Sequence, residues 1–485
     1  MRRASNPVLT VVRFLFAGGM VFLTLAVGCS KKVNSVQPQL LVSVRVSLGQ
    51  NDVQGNLDCV NDTPGISYDG RYVAFTSKAF NLVPNDTNNA PDVFYRDNVA
   101  RTTTLVSMNL AGTGPGDAGS GSPSMSWDGR YVAFASRAQT LTNDILPLGN
   151  FAQIYVRDMQ LGVTTLVSRA TGAGTITNQD CSNPRISPDG TAVVFDTTST
   201  VLDPADVPVV SISHVYCRLW QDVADGYPTT LVDFASNTNS GSGNVANGGG
   251  GSGATVGSFK GVPSQDGRFI AFESDGNNLV AFPADGGPDN NAKRDVFIRD
   301  TQTHRTVRCS VPGAGFVELN NPLNGDSKSA TISADGQTVG FRSVSGILSP
   351  IAQETNPNIY VRVWNGGAPF TEVCSVHTSG ATGGASCDRP YLTADGTKVV
   401  WQSISAALVN GDTNAVDDIF LRDRTALQTT RQSVSTYGNQ LNGPSDGPAY
   451  SGDGRYIVFY SEATNVVDDQ TSGATDIFLR GPPFK

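Results

Sequence analysis

The dipeptide Asp-Gly recurs at Asp69, Asp128, Asp189, Asp266, Asp335, Asp395 and Asp453, at intervals of 58 to 77 residues, and each copy has the same surroundings. Two residues before the aspartate stands a hydroxyl: Ser67, Ser126, Ser187, Ser264, Ser333, Thr393 or Ser451. Four residues after it comes a β-branched residue (Val73, Val132, Val193, Ile270, Val339, Val399, Ile457), and six after it an aromatic (Phe75, Phe134, Phe195, Phe272, Phe341, Trp401, Phe459). Positions two apart share one face of a strand, so the pattern predicts a strand leaving each Asp-Gly turn with one buried face. Further on, every unit carries a second strand-like segment, from DVFYRD at 92–97 to DIFLRG at 476–481. Its fifth residue is always arginine: Arg96, Arg157, Arg218, Arg299, Arg362, Arg422 and Arg480. A third segment such as Thr103–Ser107 follows in most units, and a short run leads into each Asp-Gly. A period of this kind takes precedence over the roughly three domains that length alone suggests. Seven units of four strands, separated by turns, describe an all-β seven-bladed propeller. The 52 glycines, 26 prolines and a charged fraction of only 16% agree with tight turns and rule against a mainly helical chain.

Units reading S-x-D-G-x-x-[VI]-x-F followed by [DN]-[VI]-[FY]-x-R-D resemble the WD-like propeller repeats of the TolB type, found in exported bacterial proteins. The resemblance runs from about residue 40 to the end and implies a propeller with a role in an envelope complex; fold of itself carries no chemistry. It places blade cores near 64–107, 123–168, 184–233, 262–310, 330–375, 390–433 and 448–480. Only five residues follow Arg480, so the seventh blade lacks its outer strand, while Val44-Arg45-Val46-Ser47 reads like Thr104-Leu105-Val106-Ser107. Residues 41–48 are therefore expected to pair with 476–480 and close the ring, removing an open edge.

A residue repeated once per blade is structural by its multiplicity. The Asp-Gly glycines suit turns with positive φ, and the aspartates can bond the turn backbone. In four of seven units the arginine lies 27 residues after the aspartate, which places it beside the turn of its own blade; a repeated internal Asp–Arg pair is expected there.

Arg2, Arg3 and Arg13 precede an apolar stretch from Phe14 to Val27, the pattern of a signal peptide over residues 1–28. The stretch ends in Leu25-Ala26-Val27-Gly28-Cys29, which resembles a bacterial lipobox and implies lipidation of Cys29, with 29–39 as lipidated residue and tether. Removing 1–28 takes away three arginines and no acid, so the charge moves from −9 to −12. No basic run tracks a phosphate backbone, which argues against nucleic acid. Ser30 in place of the aspartate tied to inner-membrane retention points to the outer membrane.

Three histidines, His214, His304 and His377, fall in different blades with no convergent spacing, and neither a G-x-S-x-G elbow nor a C-x-x-C metal pair occurs. Cys59, Cys181, Cys217, Cys309, Cys374 and Cys387 are even in number; Cys374 with Cys387 could bridge, or each could be a small buried side chain, as Cys181 and Cys387 occupy the place of Ser120. One recurrent motif, D-x-N-x-x-x-D, appears as Asp86, Asn88, Asp92; as Asp289, Asn291, Asp295; and as Asp412, Asn414, Asp418. Oxygen ligands on a short loop suit calcium, and Asx-turn chemistry is the other reading. The longer segments 81–91, 141–150 and 235–257 fall on the propeller face opposite the Asp-Gly turns. The expectation is a non-catalytic envelope scaffold, anchored to membrane by lipid, whose variable-loop face binds a protein or glycan. The competing class is a propeller enzyme, such as a polysaccharide lyase acting at the channel mouth.

Overall fold

The computed structural model describes residues 41–484 except 173, 203–211, 223–225, 227, 235–245, 248–256, 281–288, 290, 313–324, 350–355, 366–368, 384–385 and 470–473. The expected signal peptide over 1–28, Cys29 and the expected tether lie outside the described residues, as does most of 235–257. Residues 40–485 form one compact unit of seven four-stranded antiparallel sheets. Blade 1 is β2 to β5 (Gly65–Ile66, Tyr72–Ser77, Asp92–Asp97, Thr102–Leu105), paired in chain order from the channel outward. Blades 2 to 6 repeat it, beginning at Ser120–Met125, Cys181–Ile186, Ser258–Pro263, Ser327–Ile332 and Cys387–Leu392. Among the described residues the one helical element is a 3-10 turn at Gln50–Asp52, and no helix is long and apolar enough to cross a membrane.

The repeated aromatic of the second strand meets an aromatic of the third in every blade: Phe75–Phe94, Phe134–Tyr155, Phe195–Tyr216, Phe272–Phe297, Phe341–Tyr360, Trp401–Phe420 and Phe459–Phe478. Ring centroids are 5.8–6.1 Å apart. Such pairs contribute about 0.5–1.5 kcal/mol beyond area burial. The core lies between blades: Val73 and Phe75 of blade 1 pack in one cluster with Ala449, Val458 and Tyr460 of blade 7.

Blade 7 is completed from the other end of the chain. Its strands Ser445–Tyr450, Ile457–Ser461 and β28 (Asp476–Gly481) are joined by β1 (Val42–Arg45), with Val42 opposite Gly481 and Arg45 opposite Phe478. The Val46 N–H extends the ladder to the Ile477 carbonyl at 2.8 Å, so the ring closes as expected.

The expected Asp–Arg pair takes a different form. Each Asp-Gly aspartate is saturated locally: Asp69 accepts from the Ser67 hydroxyl at 2.9 Å and the Arg71 N–H at 3.0 Å, and Asp335 from Ser333 at 2.6 Å and the Gln337 N–H at 3.0 Å. The recurrent arginine turns instead to a hydroxyl on the fourth strand of its own blade. The pairs are Arg96–Thr103, Arg157–Thr164, Arg218–Thr229, Arg299–Thr306, Arg362–Thr371, Arg422–Thr429 and Arg480–Ser43, at 2.6–3.3 Å. Four of the guanidinium groups also reach carbonyls at the end of the preceding blade: Gly49, Arg169 with Ala170, Phe234, and Val311 with Pro312. In these four blades the residue staples neighbouring blades, because antiparallel register sets it directly opposite the fourth-strand hydroxyl, within reach of the preceding blade. The charge pair near the turn uses neighbouring positions: Arg71–Asp97, Arg130–Asp158 and Arg268–Asp300, each at 2.7 Å. Burial alone would raise the Asp300 carboxyl, but its bonds with Arg268 hold it down to about 2.

Candidate functional site

The first strand of each blade faces the axis, and residues of all seven line a central channel with a cavity of about 320 Å³. In six blades the third residue of this strand, or its equivalent, takes a positive φ: Ser122, Asn183, Lys260, Ser329, Arg389 and Gly447. The register of the first two strands shifts there, as in a β-bulge. The freed N–H groups are taken up by acidic or amide side chains that stitch blades together. Ser122 N–H donates to Asp62 at 2.8 Å, Lys260 N–H to Asp196 at 3.2 Å, Ser329 N–H to Glu273 at 2.9 Å, and Gly447 N–H to Gln402 at 3.2 Å. Burial raises the Asp196 carboxyl to about 6 despite the Asn183 and Ser182 bonds.

The two ends of the channel differ. At the Asp-Gly end, the residues between the repeated hydroxyl and aspartate form a belt of backbone bonds, Tyr68 N–H to Trp127 O, Trp127 N–H to Pro188 O, Gln265 N–H to Ala334 O and Ala334 N–H to Ala394 O, at 2.8–2.9 Å. Tyr68 and Trp127 meet edge to face with centroids 5.1 Å apart. A Cβ on Gly452 would lie 2.3 Å from the Tyr68 ring and 2.9 Å from Trp127, so only glycine fits beside this pair. At the other end stand Asn61, Asp62, Lys260 and Arg389, together with the loops between second and third strands.

Four residues before each Asp-Gly aspartate, the seven units carry Gly65, Ser124, Arg185, Val262, Thr331, Tyr391 and Ala449. Ser124 and Thr331 accept from the Ile186 and Leu392 N–H groups of the next blade, at 3.1 and 3.2 Å. Arg185 and Tyr391 line the channel from blades 3 and 6, and neither side chain has a hydrogen-bond or ion-pair partner among the described residues. Burial pulls the Arg185 guanidinium down and pushes the Tyr391 hydroxyl up, each partly offset by the other. Repetition hides such a pair, but aligning the units on Asp-Gly would have exposed it as the position where one blade carries a charge.

The three D-x-N-x-x-x-D triplets lie apart, in blades 1, 4 and 6, each leading into a third strand. Their asparagines make turns: Asn88 accepts from the Ala90 N–H at 3.0 Å and Asn291 from the Lys293 N–H at 2.8 Å. The last aspartate of each triplet accepts from the serine leaving the fourth strand, Ser107 to Asp92 at 2.6 Å, Ser310 to Asp295, and Ser433 to Asp418. In blade 4 a guanidinium stands between the carboxylates, with Arg308 at 3.5 Å from Asp289 and 3.6 Å from Asp295. In blade 6 Arg431 does the same, at 3.4 Å from Asp412 and 3.7 Å from Asp418. The charge a cation would bring is already supplied there. Blade 1 has Leu105 at the matching register, leaving Asp86 and Asp92 with Asn88. Among the described residues, no three His, Cys, Asp or Glu side chains gather closely enough to hold a metal.

His214 is consumed by the same device, its ring 2.8 Å from Asp233 with both side chains fully buried. His304 sits half-buried in a turn with positive φ, and His377 bonds Ser379 at 2.9 Å. No disulfide joins the six described cysteines, all buried, Cys374 and Cys387 included; Cys387 donates to Ser403 at 3.4 Å where blade 2 pairs Ser120 with Ser136 at 2.8 Å.

No family model and no curated protein matches this sequence. Among solved structures, the chain is similar to TolB from Acinetobacter baumannii, with TM-score 0.37 and 13% identity over 74% of this chain and 62% of that one. It is similar also to an oligogalacturonate lyase from Vibrio parahaemolyticus, with TM-score 0.49 and 11% identity over 91% and 97%. A third is an acylaminoacyl peptidase from Pyrococcus horikoshii, with TM-score 0.47 and 10% identity over 87% and 51%. The likeness is one of fold. It spans TolB and two kinds of enzyme, and this chain covers less than two thirds of the length of that TolB.

Proposed function

We propose that this protein is a non-catalytic propeller scaffold of the bacterial cell envelope, lipid-anchored through Cys29 on the outer membrane, that binds another envelope protein through its variable-loop face. The recurrent polar residues support a scaffold, since the turn aspartates, the arginines and the strand-exit serines are engaged in turn or strand bonding. The observation that carries the binding reading is the blade 2 loop, where Ile145 and Leu148 are 92% and 98% exposed at the end of the propeller away from the Asp-Gly turns. Loops on a rigid scaffold are where binding surfaces are built. Two protruding aliphatic side chains favour a protein over a glycan, because an apolar patch gains by desolvation against another apolar surface.

The test uses the intact lipoprotein, immobilised and exposed to detergent-solubilised envelopes, beside the double variant Ile145→Ser with Leu148→Ser. A protein retained by the parent and lost by the variant is the expected result. Equal retention by both, or retention of glycan without protein, overturns the reading.

A further inference from the structure

The wall of the central channel reverses the charge of the molecule. The chain carries −9 overall, yet the charged residues lining the channel are Arg185, Lys260 and Arg389 against Asp62 alone. Two of the three bases are occupied: Lys260 lies 3.7 Å from Glu273, while Arg389 donates to Asn61 and to the Tyr460 hydroxyl, both at 2.9 Å. Asp62 accepts from Thr76 at 3.1 Å and from the Ser122 N–H, and Asp196 behind it accepts from Ser182 and Asn183. That leaves Arg185 as a cation of the wall that feels Asp62 and Asp196 through space but has no side chain bonded to its guanidinium among the described residues. Arg185 is half-buried in this wall, so an anion that reaches its guanidinium gains a charge-assisted bond where water screens it less than at an open surface.

We propose that the channel binds a small organic acid, its carboxylate held by the Arg185 guanidinium and the Tyr391 hydroxyl, with its apolar body against Met125, Ile186 and Val262. A cavity of about 320 Å³ suits a small molecule, being at the low end of ligand pockets. The planar fork of a guanidinium matches a carboxylate, and a tyrosine hydroxyl donates to the same group. Met125, Ile186 and Val262 give an aliphatic or aromatic body a surface to pack on within a lining that is otherwise largely polar. This site is independent of the partner-binding face: its failure leaves that reading intact, and the reverse holds.

The experiment is calorimetric titration of the mature protein with butyrate, hexanoate and benzoate, each beside its amide. One or more acids should bind at a single site, the matched amide should bind at least about tenfold more weakly, and Arg185→Gln should weaken the acid by a similar factor. Tyr391→Phe should lose less, and Lys260→Gln, at the mouth, should change little. Should Arg185→Gln fail to fold, the parent protein still decides the matter: bound acid should protect Arg185 from phenylglyoxal in a mass-spectrometric footprint. No binding by any of the three acids, equal binding of acid and amide, an unaffected Arg185→Gln protein, or no protection overturns the proposal.

Discussion

At the first residue of the third strand, seven blades meet one requirement with four kinds of side chain: Asp92, Gln153, His214, Asp295, Asn358, Asp418 and Asp476. Each is buried and bonded to the residue leaving the fourth strand, which is serine everywhere except Asp233 opposite His214. Where this residue is aspartate, burial opposes its charge, and blades 4, 6 and 7 answer with Arg308, Arg431 and Arg45. Blade 1 has no such answer. Burial raises the Asp92 carboxyl to about 7, and its Oδ2 has no hydrogen-bond partner. The folded protein therefore keeps a proton that the unfolded chain releases near pH ~4, so stability falls as pH rises from about 4 to about 7. Asp92→Asn removes that dependence. Thermal melts should show the parent losing ground to the variant between about pH 5 and pH 8, by on the order of 3 kcal/mol. A constant difference across that range would mean Asp92 is charged throughout.

At the scale of the strand, β1 is the element whose loss should matter most. Its four residues cover the edge of β28, the Ser47 hydroxyl donates to Asp476 at 2.6 Å, and Arg45 lies 3.3 Å from the same carboxylate. Deleting residues 41–48 should lower the melting temperature by several degrees and promote aggregation through the exposed edge; an unchanged melt would show that the outer strand is dispensable. This pairing was legible in the sequence because Val44-Arg45-Val46-Ser47 repeats a pattern seen beside Asp-Gly in other units. So were the strands themselves, since period two and period-sixty signals coincide. The partners of the repeated arginines were not. Spacing along the chain places Arg96 near its own turn, but only the register opposite Thr103 decides which way the guanidinium points. The site was less legible still: Arg185 belongs to no motif, and its meaning comes from what the other six blades place at that position.

At the scale of the whole molecule, the blades share their cores, so they should not unfold one at a time. Clusters that join Val73 to Val458, and Val400 to Phe459, make each sheet one wall of two cores. Calorimetry of the intact ring should give a single transition with a ratio of calorimetric to van't Hoff enthalpy of about 1. A ratio well above that would mean blades melt as separate units. The closing pair also imposes an order on assembly. Val42 waits for Gly481, and long-range pairings of this kind are slow to form. β1 thus acts as a test of completeness: a chain cut short anywhere between it and β28 has nothing to latch, and stays recognisable as unfinished to whatever proteases patrol its surroundings.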